Sequence, residues 1–102
     1  MGSTASASWL IASWVSVAAL DPDRRIEQPS ELVPICQRSA EAAYAAAGIP
    51  VFQWSASHTL RVDVLHVAGR LRAGGEDVRV RCRIARGEAT RDARIEIDDD
   101  RL

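Results

Sequence analysis

Gly74-Gly75 stands between two strings whose apolar residues keep strict step. Leu65, Val67, Gly69 and Leu71 lie before it on odd numbers, and Val78, Val80, Cys82 and Ile84 after it on even ones. Two glycines supply the positive φ angles that a tight hairpin needs. With this pair as the loop, Leu71 faces Val78, Val67 faces Cys82 and Leu65 faces Ile84. The other face then sets Arg72 against Asp77. A slip of one residue would turn every apolar side chain to the wrong face, so the register is narrowly specified. A four-residue loop, 87–90, extends the pattern. It pairs Ile84 with Ala93, Cys82 with Ile95 and Val80 with Ile97, while Arg81 meets Glu96 and Arg79 meets Asp98 on the opposite face. Opposite charges across strands favour pairing by a few tenths to about 1 kcal/mol. Asp98-Asp99-Asp100 ends the strand. The result is an antiparallel meander with one apolar face that needs a cover.

Residues 34–48, PICQRSAEAAYAAAG, supply one. Alanine costs the least helix free energy of any residue, and Gly48 followed by Pro50 is a stop signal. Two starts are open: Ser30 as N-cap after Pro29, or Pro34 at the first helical position. Cys36, Ala40, Ala43, Tyr44 and Ala47 form one stripe. Beyond Ala40 the helix is apolar nearly all round, which predicts burial on more than one side. The expected class is therefore α+β, with a curled antiparallel sheet wrapped around one central Ala-rich helix.

Between helix and hairpin, residues 51–56 read as a short strand or packed loop and residues 57–59 as a turn. Leu60, Val62 and Val64 alternate on even numbers, so the change of phase at Val64-Leu65 predicts a β-bulge. Residues 1–8 read as a disordered tail, and 9–102 as a single domain. Residues 9–20, WLIASWVSVAAL, are apolar on both parities, as in a strand buried on both faces. The run is too short to span a bilayer. It has the length of a signal-peptide core, but no basic residue precedes it. Gly2 with Ser6 also fits a myristoylation pattern. Asp21-Pro22-Asp23 follows as a turn.

A net charge of −1 gives no reason to expect nucleic-acid or membrane binding. All 13 basic residues are Arg, a bias expected of GC-rich bacterial DNA. Arg70, Arg72, Arg79, Arg81, Arg83 and Arg94 gather on the polar sheet face. With Asp77, Glu96 and Asp98 among them they read as a solvated or subunit-facing surface; the alternative is a surface for a phosphate-rich or acidic ligand. His58, His66, Cys36 and Cys82 lack metal-ligand spacing, so no metal site is expected. Cys36 and Cys82 both point to the core. Two buried thiols are the first expectation, and a Cys36–Cys82 disulfide, which needs an oxidising compartment, is the alternative.

The order strand, Asp-containing turn, Ala-rich helix and long antiparallel strands resembles the hot-dog fold, nearest to acyl-CoA thioesterases of the 4-hydroxybenzoyl-CoA thioesterase type. The resemblance spans roughly residues 9–100. The family's Asp-x-x-Gly-His-Val motif aligns with Asp21-Pro22-Asp23-Arg24-Arg25-Ile26. Asp21 keeps the acid, Arg24 replaces the Gly and Arg25 the His. What the resemblance implies is a cytoplasmic homodimer that hydrolyses or binds an acyl-CoA or acyl-carrier thioester, with weak or no activity. Asp21 would be the catalytic carboxylate, Arg24, Arg25 and Ser30 would bind substrate, and coenzyme A would enter only as part of the substrate. The three tryptophans and Phe52 would fill the core or a subunit contact. The competing reading is a non-enzymatic, exported interaction domain similar in outline to PepSY-type domains, its helix fastened to the meander by the Cys36–Cys82 bridge.

Overall fold

One helix followed by four antiparallel strands makes up the regular structure of residues 21–102, the part of the chain that this computed structural model describes. The expected tail over 1–8 and strand over 9–20 lie outside the described residues.

Helix α1 spans Pro29–Ala46. Its start differs from both expectations. Gln28 is the N-cap, with extended φ and ψ of −121° and 143°, and Pro29 takes the first helical position. Proline is suited to that place because its φ is already helical and its missing N–H has no partner there anyway. Ser30 thus lies inside the first turn instead of capping it, and Pro34 is carried within the helix. The C-terminus ends as Gly48 and Pro50 predict. Gly48 has φ +72°. Its N–H donates to the Ala45 carbonyl at 3.1 Å, and that of Ile49 to the Tyr44 carbonyl at 3.0 Å. This pair of bonds is the Schellman arrangement that satisfies the last carbonyls of a helix.

The expected two-sided burial of α1 is not found. Leu32, Cys36, Ala40 and Tyr44 are buried, four residues apart on one face. Ala42, Ala45, Ala46 and Ala47 are exposed. The helix lies on the sheet along a single stripe. An exposed alanine leaves little apolar surface in water, so the high alanine content reflects helix propensity as much as burial.

The strands are β1 (Val51–Arg61), β2 (Val64–Ala73), β3 (Glu76–Ala85) and β4 (Arg94–Ile97), ordered β1-β2-β3-β4 in one open sheet. The hairpin register is the one that Gly74-Gly75 dictates, with Leu71 opposite Val78, Val67 opposite Cys82, Leu65 opposite Ile84 and Arg72 opposite Asp77. Across β3 and β4, Cys82 faces Ile95, Val80 faces Ile97 and Arg81 faces Glu96. The ladder begins at Arg83 and Arg94, because Ala93 closes a 3-10 turn over Thr90–Asp92 and so does not join Ile84. The core between helix and sheet comprises Leu32, Cys36, Ala40 and Tyr44 from α1, with Leu65, Val67, Leu71, Ala73, Val78, Val80, Cys82 and Ile84 from the sheet. Ile26, ahead of the helix, closes one end of it.

The segment before the hairpin is where the sequence misleads. Residues 57–59 are not a turn, and no bulge lies at Val64-Leu65. β1 runs unbroken to Arg61, and Val62-Asp63 turn the chain, both with positive φ (46° and 61°). Two turn residues change the phase of alternation as a bulge would, which is why the pattern alone did not separate them. The irregularity in β1 instead lies between Phe52 and Ser55, where Gln53 has φ 58°. It turns Trp54 onto Gly69 of β2, whose missing side chain leaves room for the indole ring.

Candidate functional site

Two places in the molecule carry chemistry: the segment 21–30 ahead of the helix, and the outer face of the sheet. In the first, Asp21 is exposed, and its Oδ1 accepts the backbone N–H of Asp23 at 3.0 Å. That is an Asx turn, a local role typical of aspartate in loops. The Arg24 side chain lies 3.8 Å from Glu31, and its carbonyl accepts both the N–H and the hydroxyl of Thr90 at 2.8 Å. Arg25 donates from Nη1 to the Gly87 carbonyl at 2.7 Å. Ser30 is exposed in the first turn of α1. Thus the four residues singled out by the resemblance sit on one continuous segment. Two of them fasten it to the 86–92 loop, with help from Ile26 N–H to Glu88 carbonyl at 3.0 Å, Gly87 N–H to Ile26 carbonyl at 2.7 Å and the Arg91–Asp23 ion pair.

The outer face of the sheet has a different character. The strand registers place Thr59, His66, Arg83 and Arg94 in one row across β1, β2, β3 and β4. The neighbouring row is Ser57, Ala68, Arg81 and Glu96. These rows form the floor of a groove of about 370 Å³, which Arg61 also lines. Arg81 lies 3.8 Å from Glu96. Arg83 and Arg94, directly opposite one another, make no ion pair among the described residues. The Arg cluster was legible in the sequence as a polar strand face. The Arg83–Arg94 pairing follows from the β3–β4 register read there, but the concavity and the reach of the row to Thr59 of β1 were not legible, since they need the turn at Val62-Asp63.

A covalent bridge fixes the frame under this face. Cys36 of α1 and Cys82 of β3 form a disulfide with a Cα–Cα separation of 6.0 Å, in place of the two thiols expected first. Both cysteines are buried, and helix packing on β3 brings them together. Among the described residues no group of three or more His, Cys, Asp or Glu side chains could hold a metal. No described helix is long and apolar enough to cross a membrane. No family model matches the chain, and no curated protein or solved structure shows significant similarity to it.

Proposed function

We propose that the chain is an exported, non-catalytic binding domain, a disulfide-fastened helix on a four-stranded meander that presents its outer sheet face to a ligand. The bridge between Cys36 and Cys82 carries this reading. Reducing compartments keep such pairs as thiols, whereas disulfides persist in exported proteins. A small domain with one modest core also has much to gain from a covalent tie. The arrangement around Asp21 supports the same reading. Its carboxylate is engaged by its own turn, and neither Arg24 nor Arg25 offers the conformational freedom of the glycine or the titrating imidazole of the hot-dog motif.

The hot-dog thioesterase is the competing proposal, since an Ala-rich helix ahead of an antiparallel meander is common to both outlines. One experiment separates them. Thiols are counted in denatured protein before and after reduction, and acyl-CoA thioesters are screened for release of free coenzyme A, with Asp21→Asn beside the wild type. No titratable thiol before reduction, two after it, and no turnover are expected. Two free thiols in protein from an oxidising compartment would overturn the exported reading. Turnover that disappears in Asp21→Asn would establish the thioesterase, and native sizing would then show the dimer that a shared active site requires.

A further inference from the structure

We infer that the groove on the outer sheet face, between Arg61 of β1 and Arg94 of β4, binds a compact polyanion, a phosphomonoester or diphosphate group. This deepens the binding-domain reading by naming the ligand class. Charge is the first observation. Arg61, Arg81, Arg83 and Arg94 line the groove against one carboxylate, Glu96, in a chain whose net charge is −1. Positive charge has been concentrated here while the molecule as a whole carries none to spare.

Register is the second. On this face the sheet sets opposite charges against each other in Arg72–Asp77 at 3.5 Å and Arg81–Glu96 at 3.8 Å, and where it sets Arg70 against Arg79 the backbone of Asp98 adjoins Arg79. In the groove it sets Arg83 directly against Arg94 and, on the other side, against His66. Like charges directly opposite are destabilising, so packing alone would not favour the Arg83–Arg94 pair. An anion seated between them reverses the sign of the interaction.

The geometry selects the kind of anion. Strands lie about 4.8 Å apart, so His66, Arg83 and Arg94 span only about 10 Å. A carboxylate brings a single charge to that space. A phosphomonoester brings close to two, with three acceptor oxygens, and the guanidinium fork matches phosphate oxygens in pairs. Thr59, in the same row, adds a hydroxyl donor. The acidic side chains of Glu96 and Asp98 bound the patch along β4 and its continuation. A bounded groove suits a compact group better than a long polymer backbone, which needs a continuous basic track.

The test uses the full chain with its disulfide intact. Pyrophosphate is titrated by calorimetry at low salt into the wild type, into Arg83→Gln/Arg94→Gln, and into Arg72→Gln, which alters the same face outside the groove. The wild type is expected to bind, more weakly as salt rises, and the double variant to lose about 10-fold to 100-fold in affinity. Arg72→Gln should match the wild type. A second readout needs no ligand: relief of the like-charge row should raise the thermal midpoint of the double variant. Vesicles containing phosphatidic acid, against neutral vesicles, tell a lipid headgroup from a free phosphate compound as the source. Absence of pyrophosphate binding, equal binding by the double variant, or preference for a polyglutamate peptide would overturn the inference. Each of those results leaves the thiol count and the thioester screen untouched, so the ligand class can fail while the binding-domain reading stands. Free thiols in a protein that binds pyrophosphate would do the reverse.

Discussion

The Tyr44 hydroxyl donates a 2.7 Å hydrogen bond to Oδ2 of Asp99, 55 residues further along the chain. Arg101 completes the cluster. Its Nε donates to Asp99 Oδ1 at 2.9 Å, and its Nη2 donates both to Asp99 Oδ2 at 2.7 Å and to the Ala73 carbonyl at 3.0 Å. One carboxylate thereby ties the C-terminal half of α1, the segment after β4 and the end of the β2–β3 hairpin. Hydrogen bonds from Arg101, then from Tyr44, hold the Asp99 carboxyl well below the usual carboxylate range. Burial, then the bond to Asp99, pushes the Tyr44 phenol well above its ordinary value.

The direction of these shifts fixes a pH dependence. A depressed carboxyl adds stability above its unfolded value of about 4 and loses it as the solution becomes more acid. A raised phenol adds stability below its unfolded value of about 10 and loses it as pH rises beyond. Denaturant melts should therefore show a plateau at neutral pH with losses on both sides. Asp99→Asn should flatten the acid limb. Tyr44→Phe should flatten the alkaline limb and cost about 1.5–3 kcal/mol at neutral pH, as expected for a buried hydroxyl losing a bond to a charged group. Equal acid limbs in the wild type and Asp99→Asn would show that other carboxylates govern acid unfolding.

The disulfide closes a span of 46 residues from α1 to the middle of β3. Chain-entropy arithmetic for a loop of that size gives about 4 kcal/mol. Residual structure in the unfolded chain lowers that figure, so Cys36→Ala/Cys82→Ala is expected to lose about 2–4 kcal/mol in urea melts. Reduction of the wild type should lower the melting temperature in the same direction. A double variant as stable as the oxidised wild type would remove the bridge from the forces that hold the fold.

Much of this architecture was legible because two independent patterns agreed. Gly74-Gly75 supplied a turn of known length, and the alternation of Leu65–Leu71 with Val78–Ile84 allowed only one register around it. The β3–β4 register followed from the same alternation and from the Arg81–Glu96 pair. The β1–β2 turn was hidden because Val62 is a poor residue for positive φ, and a strand pattern runs straight through it. The one-sided burial of α1 was hidden because alanine is equally at home in a core and on a helix surface. The segment around Asp21 could be read only by resemblance, and its contacts are with the 86–92 loop, which pattern cannot pair with it. The groove emerged from adjacency across four strands, which no linear spacing displays.

Gly69 and Trp54 form a matched pair on the apolar side of the sheet. A Cβ at position 69 would overlap the six-membered ring of the indole. Gly69→Ala is therefore expected to cost about 1–3 kcal/mol, the usual range for overpacking. Trp54→Leu should cost stability by itself but much less in the Gly69→Ala background, giving a coupling energy in a double-mutant cycle. The Trp54 Nε1 group is buried without a hydrogen-bond partner among the described residues. Hence Trp54→Phe, which removes that donor and keeps a ring over Gly69, should be the mildest replacement. Additive costs for Gly69→Ala and Trp54→Leu would show that the two residues do not constrain each other.

Val62 offers the reverse case, a native residue that works against its own backbone. It has φ 46° in the β1–β2 turn and is 96% exposed, so its side chain packs on almost nothing. A β-branched residue in the left-handed region is strained, typically by 1–2 kcal/mol, whereas asparagine and glycine adopt it readily. The rest of the turn is well supported. Asp63 also tolerates the left-handed conformation; its carbonyl accepts the Arg86 N–H at 2.8 Å, and its carboxylate lies 3.3 Å from the Arg86 guanidinium. Paired positive φ angles are the geometry in which Asn and Gly are favoured at the first turn position of hairpins. Val62→Asn is thus expected to raise stability by about 0.5–1.5 kcal/mol, seen as a higher denaturation midpoint with an unchanged slope. Val62→Ala, which relieves branching but keeps a Cβ, should fall between the two. Removing the Arg86 support with Arg86→Gln should lower stability in both backgrounds. If Val62→Asn melted below the wild type, the hairpin would have to draw on a contact of the valine side chain that its exposure rules out.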